Sequence, residues 1–131
     1  MTAEREHVLV VDDAAELRAL FQAVLESESY RVTLRAAPPD VEDVAALAPD
    51  AVLLDLLLDG DDGAAWNLLV AMREDPRLRT VPVIVCSAAT ELLGRIAPGL
   101  GELGAAVLPK PFELDAFSAA VARAVGRPPP G

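Results

Sequence analysis

The chain has 131 residues, 53% of them hydrophobic and 24% charged, with a formal net charge of −10. That length fits one domain and can bury a core without disulfide or metal staples. The acidic balance and an aromatic content of 4% leave no basic footprint and no base-stacking platform, which argues against nucleic acid and anionic membranes as direct partners.

The first six residues, MTAERE, are polar and no apolar core follows them, so no signal peptide is expected. No apolar run approaches the roughly 18 residues of a membrane span, and the cytoplasm is the expected compartment. Residues 7–11 (HVLVV) open the chain as a short apolar run that reads as a strand. Leu17, Leu20, Phe21, Val24 and Leu25 follow at i, i+3, i+4, i+7 and i+8, the stripe of an amphipathic helix. YRVTLR at 30–35 alternates and suits an edge strand. A short helical pattern at 40–48 is bounded by Pro38, Pro39 and Pro49, and AVLL at 51–54 is a third apolar run. Ala65, Leu68, Leu69 and Met72 repeat the helical spacing. VPVIVC at 81–86 is a fourth run, and within it the lone Cys86 reads as a small buried hydrophobe. The weak segment 91–103 is broken by Pro98, Gly99 and Gly101. AAVL at 105–108 is the fifth run, and Leu114, Phe117, Val121, Ala124 and Val125 share one helical face. The tail 127–131, RPPPG, cannot be helical and reads as an end or the start of a linker.

Five βα units in alternation argue for α/β architecture: a doubly wound, five-stranded parallel sheet with helices on both faces, flavodoxin-like. Ligands in such sheets bind beyond the carboxyl ends of the strands, where strand order reverses. For the order 2-1-3-4-5 that point lies between the first and third strands. The first strand ends in Asp12 and Asp13, the third in Asp55, the fourth in Ser87, and the fifth, two residues on, in Lys110. Each has a bland reading alone. Asp13 could cap the helix starting near Ala14, with Glu16 completing a box-like pattern. Asp55 could belong to a turn, Ser87 could cap a helix, and Lys110 could be a solvated surface lysine. Their coincidence on one edge of the sheet favours a shared site.

The chemistry fits metal-dependent phosphoryl transfer. Three close carboxylates repel unless a cation joins them, and Mg²⁺ prefers hard oxygen ligands while keeping sites for water and phosphate. Asp55, standing singly, suits a nucleophile that forms an acyl phosphate. Lys110 and Ser87 would hold the phosphoryl oxygens by charge and by hydrogen bond.

These residues resemble the receiver domain of bacterial two-component response regulators, with a chemotaxis-regulator-like fold. The resemblance runs over roughly residues 6 to 126 and rests on VLVVDD at 8–13, LLDL at 53–56 with Asp62-Gly63 following, PVIVCSA at 82–88 and LPKPF at 108–112. It implies a receiver domain over 1–126 and a Pro-rich tail over 127–131. It implies that Asp55 accepts a phosphoryl group from a histidine kinase or phosphotransfer protein, and that Asp12, Asp13, Asp55 and the Leu57 carbonyl hold Mg²⁺. It further implies phosphoryl contacts from Ser87 and Lys110 and a cis Lys110–Pro111 peptide.

Several positions depart from the receiver pattern. Leu58 and Asp59 stand where many receivers have Met-Pro, and Asp59 joins Asp61 and Asp62 in an acidic turn. That turn is not an EF-hand loop, since Val70 occupies the closing position. Val107 stands where many receivers carry an aromatic switch residue, and GAAVLPK is one residue shorter than the usual pattern. Leu57 and Ala89, at positions that tune acyl phosphate lifetime, cannot orient a hydrolytic water, so removal of the phosphoryl group is expected to need a partner. His7 reads as a strand residue near the surface, and Trp66 as a packing residue.

The expected function is a single-domain switch, a phosphoacceptor rather than an enzyme, whose affinity for a protein target changes with phosphorylation. Its output face would include the segment 91–103, the fifth strand and the last helix. The alternative is a constitutive interaction module that kept the acid pocket and does not switch. A haloacid-dehalogenase-like phosphatase is a third reading. It wants Asp-x-Asp where this chain has adjacent acids.

Overall fold

Five parallel strands lie side by side in the order β2-β1-β3-β4-β5. They are seen in a computed structural model that describes residues 5–55, 63–87, 98, 99, 101–109 and 113–126. In chain order the elements are β1 (His7–Val11), α1 (Ala15–Ser27), β2 (Arg31–Arg35), α2 (Val41–Leu47) and β3 (Ala51–Asp55). After them come α3 (Ala64–Glu74), β4 (Val83–Ser87), β5 (Ala105–Pro109) and the last described helix, Leu114–Val125, here α4. Residues 98, 99, 101 and 102 are also helical. The expected doubly wound α/β sheet and its order are what the chain forms. Residues 91–97 and 100 of the broken segment 91–103 lie outside the described residues, as does the tail 127–131.

The two central strands explain why the apolar runs barely alternate. Every residue of β1 and β3 is buried, because helices cover both sides of a parallel sheet. Successive side chains point to opposite faces, so one strand feeds two cores. Leu9, Val11, Val52, Leu54, Val83 and Val85 pack with Val44 of α2 and with Ala65, Leu68, Leu69 and Met72 of α3. Val8, Val10, Leu53, Ile84 and Cys86 pack on the other side with Phe21 and Leu25 of α1 and with Phe117 and Val121 of α4. Phe21 and Phe117 stack with ring centroids 4.7 Å apart, joining α1 to α4. Burial of one such aliphatic side chain contributes about 1.5–3 kcal/mol. β2 lies at the sheet edge, as expected, with Arg31 and Arg35 exposed at its ends and Val32, Thr33 and Leu34 half-buried between them.

Two helical stripes are narrower than the sequence spacing predicts. Leu20 is 41% exposed and Leu114 is 42% exposed. α1 turns only the Phe21–Leu25 side fully onto the sheet, and Leu114 sits in the first turn of α4, ahead of the buried residues Phe117 and Val121. Trp66 packs, as expected, against the α2–α3 side of the core. Gly99 lies so close to it that a Cβ there would stand 3.4 Å from Cη2 of the indole. Among the described residues no helix is long and apolar enough to cross a membrane.

Candidate functional site

Strand register builds the site. β1 pairs with β3 from Val8 opposite Ala51 to Val11 opposite Leu54. One further step along both strands brings Asp12 level with Asp55. β3 pairs in turn with β4, Asp55 opposite Cys86, so the main chain of Ser87 lies one residue beyond Asp55 at the end of β4. Adjacent strands are about 4.8 Å apart, which is why three strand ends converge.

The convergence is tight. A carboxylate oxygen from each of Asp12, Asp13 and Asp55 lies within 4.8 Å of the others. Asp12 is 2% exposed and Asp55 6%, whereas Asp13 is exposed. Buried like charges at this distance need a counter-cation. Three hard oxygen donors suit Mg²⁺, whose ligand oxygens stand about 3–4 Å apart around a near-octahedral ion. The acids therefore fit the ion by donor type and by spacing. Leu57, Lys110 and the Lys110–Pro111 peptide lie outside the described residues, as does the acidic turn at 59–62. Gly63, with a φ of +92°, starts α3 in a left-handed conformation that favours glycine.

The turn after β1 differs from the capping pattern. Ala14, not Asp13, is the N-cap residue, and no side chain caps α1. Instead Asp12 Oδ1 accepts the main-chain N–H of Ala14 at 2.9 Å, a two-residue reach typical of Asp at turns. Asp13 is left facing outward beside it.

Two residues escape sequence reasoning. Arg18, in the first turn of α1, donates from Nη1 to the Asp12 carbonyl oxygen at 2.8 Å. The one available signal is a cation at a helix end where the macrodipole favours anions. His7 is a correction, being only 5% exposed rather than near the surface. Its Nδ1–H donates to the Leu47 carbonyl at 3.0 Å, which leaves Nε2 to accept from the Thr33 hydroxyl at 2.7 Å. Its main chain exchanges hydrogen bonds with Asp50, at 2.7 Å to Oδ2 and at 2.7 Å from the Asp50 N–H. These contacts close the edge of the sheet opposite the acids and take no part in their site.

Residues 8–122 match the response regulator receiver domain family, and the chain belongs to that family. It is 37% identical over 89 residues, 66% of its length, to a protein-glutamate methylesterase/protein-glutamine glutaminase of Cereibacter sphaeroides, of which it covers 23%. It is 36% identical over 115 residues, 85% of its length, to the transcriptional regulatory protein CseB of Streptomyces coelicolor, of which it covers 45%. The chain thus spans less than half the length of these curated relatives. Its fold superposes with a TM-score of 0.72 and 27% identity on the receiver domain of the Pseudomonas aeruginosa sensor histidine kinase PA1611, covering 94% of this chain and 99% of that one. That structure holds a magnesium ion coordinated in its active-site cleft.

Proposed function

We propose that Asp55 accepts a phosphoryl group from a phosphohistidine of a histidine kinase or phosphotransfer protein, in a Mg²⁺-dependent reaction. The observation that carries this is the meeting of Asp12, Asp13 and Asp55 at the carboxyl edge of the sheet. A carboxylate oxygen of Asp55 attacks phosphorus. A P–O bond forms as the P–N bond breaks, its electron pair stays on the imidazole, and the ring ends protonated by solvent. Asp12, Asp13, Asp55 and the Leu57 carbonyl hold Mg²⁺, which when bound offsets the charge of the incoming phosphoryl oxygens. The Ser87 hydroxyl donates a hydrogen bond to one phosphoryl oxygen and the Lys110 ammonium pairs with another, so the residues position and neutralise rather than exchange atoms. The chain acts as a phosphoacceptor in the cytoplasm, with residues 1–126 as the receiver unit and 127–131 as a Pro-rich tail, and phosphorylation changes its affinity for a protein target.

Intact mass after incubation with acetyl phosphate tests this. Wild-type protein should gain one phosphoryl group with Mg²⁺ and none without it, and Asp55→Asn should gain none. Absence of labelling in wild-type protein with Mg²⁺ present would overturn the proposal.

One observation favours the constitutive alternative. Val107, on the edge strand β5, is 36% exposed and aliphatic, so no ring is available there to change sides. Amide exchange separates the two readings: a switch alters protection in β5 and α4 on phosphorylation, and a constitutive module does not.

A further inference from the structure

We propose that Arg18 is a positioning residue for the cation site: it fixes the main chain of Asp12 and so sets how the Asp12 carboxylate meets a divalent ion. This rests on the phosphoacceptor reading above.

Asp12 is held at three of its polar groups. Its N–H donates to the Arg35 carbonyl at 3.1 Å. Its Oδ1 accepts from Ala14 N–H at 2.9 Å. Its own carbonyl accepts from Arg18 Nη1 at 2.8 Å. Arg35 belongs to β2, Ala14 to the turn and Arg18 to α1, so three parts of the fold converge on one residue that is 2% exposed. Among the described residues Arg18 makes no ion pair; its guanidinium is committed to a carbonyl oxygen. The contact follows from helix geometry, because side chains lean toward the helix N-terminus and a long one in the first turn reaches back over the strand end.

Two effects of this cation oppose each other. Its charge repels a dication and would weaken metal binding. Its hydrogen bond keeps the Asp12 carbonyl from tipping and dragging Oδ1 off the Ala14 N–H, which strengthens binding. The guanidinium is only part-buried, so solvent screens its charge. Partners that orient metal ligands typically change affinity about 10–100-fold. Positioning therefore outweighs repulsion, and loss of Arg18 weakens Mg²⁺ binding.

Calorimetric titration with Mg²⁺ alone tests this on wild type, Arg18→Met, Arg18→Lys and Arg31→Gln, with folding checked by circular dichroism. Arg31 is the control for loss of a cation that does not hold Asp12. It pairs with His7 at the far end of β2, and its side chain donates to the Arg5 carbonyl. The expected result is a loss of about tenfold in Arg18→Met, substantial recovery in Arg18→Lys, which keeps a donor and the charge, and little change in Arg31→Gln. Arg18→Met binding Mg²⁺ as tightly as wild type, or more tightly, would overturn the positioning role, as would an equal loss in Arg31→Gln. Those results leave acetyl phosphate labelling of wild type intact. Wild-type protein that neither binds Mg²⁺ nor takes up phosphoryl would instead overturn the phosphoacceptor reading, and this proposal with it.

Discussion

Arg73 on α3 donates from Nε to the carbonyl oxygen of Leu103, thirty residues further along the chain. The same guanidinium reaches the Val81 carbonyl from Nη1 at 2.7 Å and the Leu78 and Arg79 carbonyls at 3.4 Å. One cation thus ties the end of α3 to the turn before β4 and to the turn that enters β5. Burial pulls its pKa below the usual arginine value.

Replacing Arg73 by Met should lower the unfolding free energy by roughly 2–3 kcal/mol, since hydrogen bonds to a charged donor are lost together. Arg73→Lys should recover less than half, because an ammonium lacks the planar fork that spans several carbonyls. Urea denaturation reads both variants. Equal stability of Arg73→Met and wild type would show that water replaces the guanidinium at these carbonyls without cost.

The acid cluster should cost stability when no cation is present. Asp12→Asn keeps the Oδ1 that accepts from Ala14 and removes one of three close charges. In chelator it should unfold roughly 1–2 kcal/mol harder than wild type. Wild type should gain thermal stability on addition of Mg²⁺, as any folded-state ligand stabilises, and Asp12→Asn should gain far less. Thermal unfolding with and without Mg²⁺ checks both signs, and an Asn variant less stable than wild type in chelator would contradict the repulsion argument.

A second ionic group predicts a pH dependence. Arg77 bonds Asp75 Oδ2 from Nη2 at 2.7 Å and grips both carboxylate oxygens of Glu42 on α2. Hydrogen bonds from Arg77 hold the Asp75 carboxyl down to about 2 and keep Glu42 below its ordinary value. Both folded values lie below the unfolded ones near about 4. The stability they contribute is therefore complete above that range and is lost as pH falls toward about 2. Arg77→Gln should be less stable than wild type at neutral pH, with the gap narrowing between about pH 4.5 and about pH 2 and shrinking in high salt. Urea midpoints across that range test it. A gap that stays constant with pH would mean that Arg77 acts by packing alone.

His7 should matter for stability and not for phosphoryl uptake. Thr33→Val removes the hydroxyl that satisfies the buried His7 Nε2 and should cost about 1–2 kcal/mol. His7 opens β1 and the acids lie beyond the strand's other end, so acetyl phosphate labelling should match wild type. Reduced labelling of folded Thr33→Val would contradict that separation.

The strands, their order and the acid cluster were legible because each has a signature along the chain: apolar runs, an alternating edge, and carboxylates that end the runs. Asp12 and Asp55 meet because each stops a buried strand at the same level. The contacts of Arg18, Arg73 and His7 were not legible for a common reason. Arg18, Arg73 and His7 Nδ1 each donate to a main-chain carbonyl, and every residue has one, so nothing in a partner's identity announces the bond. Leu20 and Leu114 were misread because spacing reports which side of a helix is apolar but not how much of that side the sheet can cover.

The two faces of this sheet are almost equally greasy, and that has a consequence for how the chain finds its alignment. Sliding β1 by one position against β3 would trade Val and Leu on one side for Val and Leu on the other, with little change in apolar burial. Polarity alternation, the usual guard against such a slip, is missing from both strands. What resists the slip lies at the strand ends: moving either strand inward would drag Asp12 or Asp55 into hydrocarbon, at a cost no aliphatic contact repays. The acids that build the site also act as end-stops, so a variant that replaces both with apolar residues risks a shifted sheet as well as an inert one.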